Sequence, residues 1–430
     1  MDNYSGKIEK LNIWEKVKIK EVCSHIFSGG TPNTNKREYW GGPIPWLSSG
    51  ETRSRFIKET KNSITELGVQ NSSTRLARAG SSVIASAGQG HTRGQVSYLL
   101  IDTYINQSVI ALFPMEDKLD SKFLFYALAM KYERLRQISD DHSIRGSLTT
   151  KILGEEYIQL PSIQEQKAIA KILSDLDSKI ELTEKMNKTL EGIAQAIFKH
   201  WFIDFEFPNE EGKPYKSSGG EMVDSELGMI PSNWTIKKLD DIANFLNGLP
   251  LQKYPAISGE RYFPVIKIKE MNSGISTSSD KASCDIPPEY IVANGDILFA
   301  WSGSLGVTIW CNGMGALHQH VFKVSSTEYP KWFYYQWLLH YLPDFIEIAK
   351  YKATTMGHIQ RQHLSKSLVA VPDSNTFKMM NTIFNPIINR IINLRVEKDV
   401  LAKTRDIILP KLMTGKIRVS LEDKNDKQNE

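Results

Sequence analysis

The chain is predicted to be an α+β protein built by duplication: two α+β domains joined by two long helices that pair through coiled-coil seams. Three observations carry this. A heptad pattern runs through Ser162 to Trp201, and a matching one begins 211 residues later. The short apolar runs and turn signals of the first half recur in the second at a slowly drifting offset.

The first helix starts at a Ser-x-x-Glu capping signal, Ser162 and Glu165, just after Pro161. Along it Ile169, Leu176, Thr183, Leu190 and Ile197 recur every seven residues, with Leu173, Ile180, Asn187, Ala194 and Trp201 interleaved. At 1.5 Å per residue such a helix is roughly 50–60 Å long. Its apolar seam needs a partner. Met380, Ile387, Leu394, Leu401 and Ile408 supply one seam row, and Phe384, Ile391, Lys398 and Arg405 the other. An intramolecular pair is the economical reading; two core helices of separate bundles is the alternative. Asn187 and Lys398 interrupt both seams at the same heptad step, as surface-leaning positions or as a device that fixes register. Pro386 lies inside the second pattern, where a kink or late start is expected because proline lacks the amide donor.

Taken in order, residues 1–161 form the first domain, opening with a polar lead-in and continuing from Trp14 as short apolar runs between Gly-, Ser- and Asn-rich turns. Helical periodicity returns at Lys122 to Gln137. The first long helix occupies 162–204, and 205–232, rich in Gly, Lys, Ser and Glu, reads as a linker. A second domain spans 233–372, the second long helix 373–419, and a polar tail 420–430. Trp234 repeats Trp14 at an offset of 220, Pro264 and Glu270 repeat Pro45 and Glu51 at 219, and Gly295–Gly303 repeats Gly80–Gly88 at 215. Gln319-His320-Val321 repeats Gln107-Ser108-Val109 at 212, and Gly357 and Pro372 repeat Gly146 and Pro161 at 211. The helices are held to length while the loops vary, so the two domains should do related but different jobs.

Composition sets bounds. At 430 residues the chain has room for about three domains. Hydrophobic content of 41% and charged content of 24% are ordinary for a globular protein, and a net charge of +4 permits nucleic-acid binding without demanding it. Cys23, Cys284 and Cys311 have no ligand or disulfide spacing, and no apolar run reaches about 18 residues. A cytoplasmic protein without membrane contact is expected.

Several motifs then converge. Gln164-Glu-Gln-Lys167, followed by Ile172-Leu-Ser-x-Leu-Asp-x-Lys-Ile-Glu-Leu182 and Phe198-Lys-x-Trp-Phe-x-Asp-Phe205, resembles the central conserved region of type I restriction–modification specificity (S) subunits. Ser225-Glu-Leu-Gly-x-Ile-Pro-x-x-Trp234 is similar to that family's entry into its second target-recognition domain. Gly29-Gly-Thr-Pro32, Tyr39-Trp-Gly-Gly42 and Ile44-Pro-Trp46 resemble the opening of a first one, and Leu409-Pro-Lys-Leu-Met-Thr-Gly-Lys-Ile-Arg-Val419 the closing conserved region. The resemblance implies a subunit that catalyses nothing. Its two pseudo-two-fold-related α+β target-recognition domains would each read half of a split, asymmetric double-stranded DNA target. The two long antiparallel coiled-coil helices joining them would set their separation and dock two methyltransferase (M) subunits. S-adenosylmethionine would belong to M, and ATP-driven cleavage to restriction (R) subunits. A related methylation-based defence system, or a coiled-coil scaffold that does not read DNA, are the alternatives.

Candidates for reading base edges are Arg for guanine, Gln or Asn for adenine, and Ser or Thr for either. In the first domain they are Thr34, Lys36 and Arg37; Ser48, Ser49, Arg53 and Arg55; and Gln89, His91, Thr92 and Arg93. In the second they are Gln252, Lys253 and Tyr254; Lys267 and Lys269; Trp301, Ser302 and Ser304; and Arg361. For any single one of them a solvated loop residue or a phosphate contact is the more ordinary reading, because phosphate contacts are the commoner kind and carry no sequence information. Lys171, Lys179, Lys185 and Arg390 on the outer helix faces are candidates for partner docking. No catalytic or metal site is expected. There is no phosphate loop, and Asp285-Ile-Pro-Pro-Glu-Tyr290 is an adenine-methyltransferase signature broken by its inserted Ile and Glu. His318-x-His320 has metal-like spacing but faces Asn106 and Ser108 in the repeat, which favours a hydrogen-bonding role. The aromatic run Trp332 to Tyr341 reads as the core face of a helix rather than a base-stacking platform.

Overall fold

In the computed structural model, which describes residues 14–88, 92–142, 147–351 and 357–420, one topology occurs twice. Each copy opens with a strand, a helical turn and a strand: Glu15–Lys18, Ile19–Val22 and Cys23–Ser28, then Thr235–Lys238, Leu239–Ile242 and Asn244–Asn247. The opening strand pairs antiparallel with the last strand of its own copy, Glu15 opposite Leu160 and Thr235 opposite Val371. A first sheet has the order Cys23–Ser28, Val109–Pro114, Ser82–Ala85, Val96–Leu99, repeated as Asn244–Asn247, Val321–Ser325, Ile297–Ala300, Gly306–Ile309. Strand Phe56–Ile57 extends the first copy's sheet by one. Ser82–Ala85 and Ile297–Ala300 are buried at every position, as expected of apolar runs covered on both faces.

A second sheet of four strands accompanies each. Its central strands are parallel in both copies, with Trp46 opposite Tyr104 and Val265 opposite Ala316. Those pairs lie 219 and 212 residues apart along the chain, the same offsets the motifs show. The drift therefore arises in the loops between strands, while the registers are kept.

The first long helix runs from Ile163 to Phe198 and continues through a π turn, Lys199–Ile203. The Ser162 hydroxyl accepts the Glu165 amide at 3.3 Å. The expected return contact of the capping box is replaced. Glu165 is buried and its carboxylate accepts instead from Arg418, at 2.7 and 3.0 Å, and from Trp14 Nε1 at 3.2 Å. Charge-assisted bonds to a guanidinium outweigh one bond to a backbone amide.

The second helix is continuous from Ser374 to Met413, so the late start expected from Pro386 does not occur. Asp373 caps it, accepting the amides of Asn375 and Thr376 at 2.9 and 3.1 Å. Pro386 removes the donor for the Thr382 carbonyl, but both residues are exposed and water can take its place.

The chain divides into two units, Met1–Ser178 with Ala402–Glu430, and Lys179–Leu401. Each contains part of both long helices, antiparallel. In the first unit Asp177 meets Arg405 at 2.6 Å and Glu165 meets Arg418 at 2.7 Å. In the second, Glu184 meets Lys398 and Glu191 meets Arg395, both at 2.6 Å, and Trp201 packs on Phe384. Among seam residues Ile169, Leu173, Asn187, Met380, Phe384, Ile391 and Leu394 are buried; Leu176, Ile180, Leu190, Ile197, Ile387, Lys398, Leu401 and Ile408 are half-buried. Asn187 and Lys398 do not bond each other: Lys398 reaches Glu184, and Asn187 Oδ1 has no partner among the described residues. Ile172, Leu182 and Ile193 on one helix, and Val400 and Ile407 on the other, remain exposed.

Two local differences from the sequence reading have plain causes. Residues 205–232 are not a loose linker: Phe207 stacks on Trp234 at 5.0 Å and on Tyr215 at 4.6 Å, and Phe205 and Ile230 are buried in the second unit's core. The aromatics, not the surrounding Gly and Ser, decide that segment's fate. The helical stretch 122–137 is two helices, Ser121–Met130 and Tyr132–His142. Its counterpart, Lys331–Tyr351, is unbroken and buries Trp332, Phe333 and Trp337, with Trp332 stacked on Phe384 at 4.3 Å. No helix among the described residues is long and apolar enough to cross a membrane.

Candidate nucleic-acid interface

In the first unit three candidate segments spring from one turn, residues 106–108. The turn closes through Val109 N to Asn106 O at 3.2 Å and Ser108 N to the Asn106 side chain at 3.0 Å. Gly29 N donates to Asn106 O, Asn106 N to Leu47 O, and Ser86 N to Ser108 O, at 3.2, 3.1 and 2.9 Å. Gly29, Leu47 and Ser86 are therefore held side by side on this turn. A Cβ on Gly29 would come within 1.8 Å of the Ile105 carbonyl, so only glycine permits this approach.

The second unit has a related arrangement around residues 318–320, with the bond of His318 to Ile266 matching that of Asn106 to Leu47. Gly248 N donates to Val321 O at 3.2 Å, His318 N to Ile266 O at 3.3 Å, and Gln319 N to Leu249 O at 3.0 Å. The Trp301 ring lies 5.6 Å from that of His320. In each unit, segments separated by tens of residues in sequence become one loop cluster.

The candidates differ in what they are free to do. Thr34, Lys36, Arg37 and Arg53 are exposed, as are Gln252, Lys253, Lys269 and Ser304. Lys36 lies over the Tyr39 ring and donates to its hydroxyl, and Lys269 donates to Ser278 Oγ at 3.0 Å. Ser48 and Ser49 are half-buried, with the Ser48 hydroxyl on Glu51 at 3.1 Å. Arg55 turns inward, donating to buried Asp177 at 3.2 Å and lying over the Phe125 ring, so it serves the unit's interior. Arg93 is half-buried and bonds Asp140, and Thr92 is buried. Tyr254 is half-buried and Ser302 buried. Lys267 pairs with Asp280, whose carboxyl is held below its ordinary range first by that hydrogen bond. Trp301 donates to Asn247 at 3.0 Å and Arg361 to the Phe245 carbonyl at 3.1 Å. Gln89 and His91 lie outside the described residues, as does Gly146.

His318 is buried, and desolvation, with lesser contributions from His320 and Lys267, pushes its pKa down to about 4. A neutral imidazole whose Nδ1 accepts the His320 amide at 3.4 Å is a structural group. Among the described residues no three His, Cys, Asp or Glu side chains cluster as metal ligands. The two turns that organise the clusters were visible in the sequence only as a weak repeat around Gln107 and Gln319.

Two copies of one α+β topology, each presenting a loop cluster and each completed by both long helices, define a duplicated, helix-linked recognition protein. The family described as "Type I restriction modification DNA specificity domain" matches residues 12–192 and again 231–401, and the chain belongs to it as a DNA sequence-specificity subunit. The chain is 29% identical over 431 residues to the type I restriction enzyme MjaIX specificity subunit of Methanocaldococcus jannaschii, covering 96% of this chain and 95% of that protein. It is 29% identical over 190 residues to the EcoR124I/EcoR124II specificity subunit of Escherichia coli, 43% of this chain and 46% of that protein. A crystal structure of the type I restriction–modification S subunit from M. genitalium shares the fold, with a TM-score of 0.60, 16% identity, and 95% of this chain and 98% of that one covered.

Proposed function

We propose that the chain reads a split, asymmetric double-stranded DNA target, one half with each loop cluster, and catalyses nothing itself. The observation that carries this is the pairing of a shared scaffold with divergent loops. The turns at 106–108 and 318–320 share two equivalent backbone bonds: Asn106 N to Leu47 O is matched by His318 N to Ile266 O, and Val109 N to Asn106 O by Val321 N to His318 O. Yet the segments around them present Thr34, Arg37 and Arg53 in one copy and Gln252, Lys253 and Ser304 in the other. Similar clusters with unlike side chains suit two unlike half-targets. Two methyltransferase subunits would dock on the long helices, where exposed Leu182, Ile193 and Val400 offer apolar anchors. Lys171 and Lys185 are engaged in local pairs with Asp175 and Glu181, which leaves them a lesser part. S-adenosylmethionine would be held by those partners and ATP by restriction subunits that join the complex.

Long-read mapping of methylated adenines tests the reading, in cells with and without this chain and with its methyltransferase present throughout. A split motif that disappears with the chain is expected. Unchanged methylation, or a contiguous palindromic motif, would refute it. A purified chain that binds S-adenosylmethionine unaided would overturn the assignment of that cofactor to the partners.

A further inference from the structure

Several residues shared by the two copies have structural reasons to be shared. Glu51 and Glu270 each accept a backbone amide, of Ser48 and Lys267, at 3.2 Å. Gly248, like Gly29, has no room for a Cβ, which would meet the His318 carbonyl at 2.3 Å. Val109 and Val321 are fully buried. Gln107 and Gln319 are different. Each sits in the organising turn two residues before that valine, where its backbone role needs at most an amide N–H and no particular side chain. The Gln107 side chain is exposed and its Oε1 accepts the Thr31 hydroxyl at 2.5 Å. Gln319 is half-buried and its amide instead meets His320 Nε2 at 3.4 Å; Pro250 stands where the repeat places Thr31. The carboxamide is kept while its intramolecular partner changes, so packing does not account for it.

A carboxamide carries a donor and an acceptor on one edge, the complement of adenine N6 and N7 in the major groove. Phosphates offer only acceptors, and Arg37 and Lys253 in the same clusters are better suited to them. We propose that Gln107 and Gln319 are an equivalent pair of specificity-determining residues, each reading one A·T base pair, in the first and second half-target respectively. This rests on the two-half-target reading above.

The test is the methylation motif written in cells by the full chain with its methyltransferase partner, for wild type, Gln107→Ala, Gln319→Ala and Gln107→Glu. Gln107→Ala should relax discrimination at one A·T position of one half-target by about 10- to 100-fold, leaving the other half intact, and Gln319→Ala should do the converse. Gln107→Glu should move that position toward cytosine, whose amino group a carboxylate accepts. Uniformly weaker methylation with an unchanged motif would mean phosphate contacts and overturn the proposal, as would an unchanged motif at full strength. A wild-type chain that directs no split motif would instead remove the underlying reading, and this assignment with it.

Discussion

The sharpest stability prediction concerns Asp177. Its side chain is 2% exposed, on the inner face of the first long helix. One oxygen accepts Arg405 Nη1 at 2.6 Å; the other accepts the Tyr126 hydroxyl at 2.8 Å and Arg55 Nη2 at 3.2 Å. Burial, reinforced by the Asp177 charge, pushes the Tyr126 phenol up, so it stays a donor. One carboxylate thus joins both long helices, the helix Ser121–Met130 and the 48–55 segment. Asp177→Asn keeps the shape and removes the charge, leaving Arg405, whose side chain is 12% exposed, facing a neutral amide. Losing one partner of a buried ion pair costs about 3–5 kcal/mol. Arg55 is one-third exposed and Arg405 also holds Asp406 at 2.8 Å, which places the expectation near the lower bound, about 3 kcal/mol. By the helix offset, the equivalent positions in the other unit are Ile388 and Ala194, both buried and apolar. Asp177→Ile with Arg405→Ala should therefore be less damaging than the sum of its singles, with a coupling of about 1.5 kcal/mol or more. Urea unfolding of the full chain, followed by hydrogen exchange in residues 163–178 and 402–413, measures both. A shift below about 0.5 kcal/mol for Asp177→Asn, or strict additivity, would refute the reasoning.

Three further outcomes are expected. Asn187→Leu should raise stability by about 1 kcal/mol, because a buried carbonyl oxygen with no partner is removed, while loosening the helix register; a variant unchanged in both unfolding midpoint and cross-linking pattern would count against it. Pro386→Ala should stabilise the second helix by about 1–3 kcal/mol, read as a higher unfolding midpoint, and a loss of stability would show that the proline is needed where it stands. His318 has a folded pKa of about 4 against an ordinary 6.5, so the unfolded chain binds the extra proton first. Its contribution is intact above about pH 6.5 and is lost as pH falls toward 4, and His318→Asn, the residue its repeat carries at 106, should flatten that slope in a pH series of unfolding midpoints.

Side-chain periodicity and recurrence are properties of the chain itself, and they sufficed for the architecture. The heptad rows through Ile169 and Met380, and the constant 211-residue offset along the helices, specify two paired helices and a duplication before any contact is known. The recognition candidates were legible only as segments. Arg37, Arg53 and Arg55 look alike in sequence, and only the fold separates the exposed pair from the one whose guanidinium is held by Asp177, 122 residues further on. Glu165 carries a local capping signal that loses to Arg418, 253 residues away. Packing likewise draws 205–232 into a core through Phe205, Phe207 and Trp234 despite a linker-like composition. Sequence thus determined what repeats locally, because backbone periodicity and turn chemistry act over a few residues. Tertiary structure decided how each charged and aromatic side chain is used, because burial and ion pairing depend on neighbours that the chain brings together only when it folds.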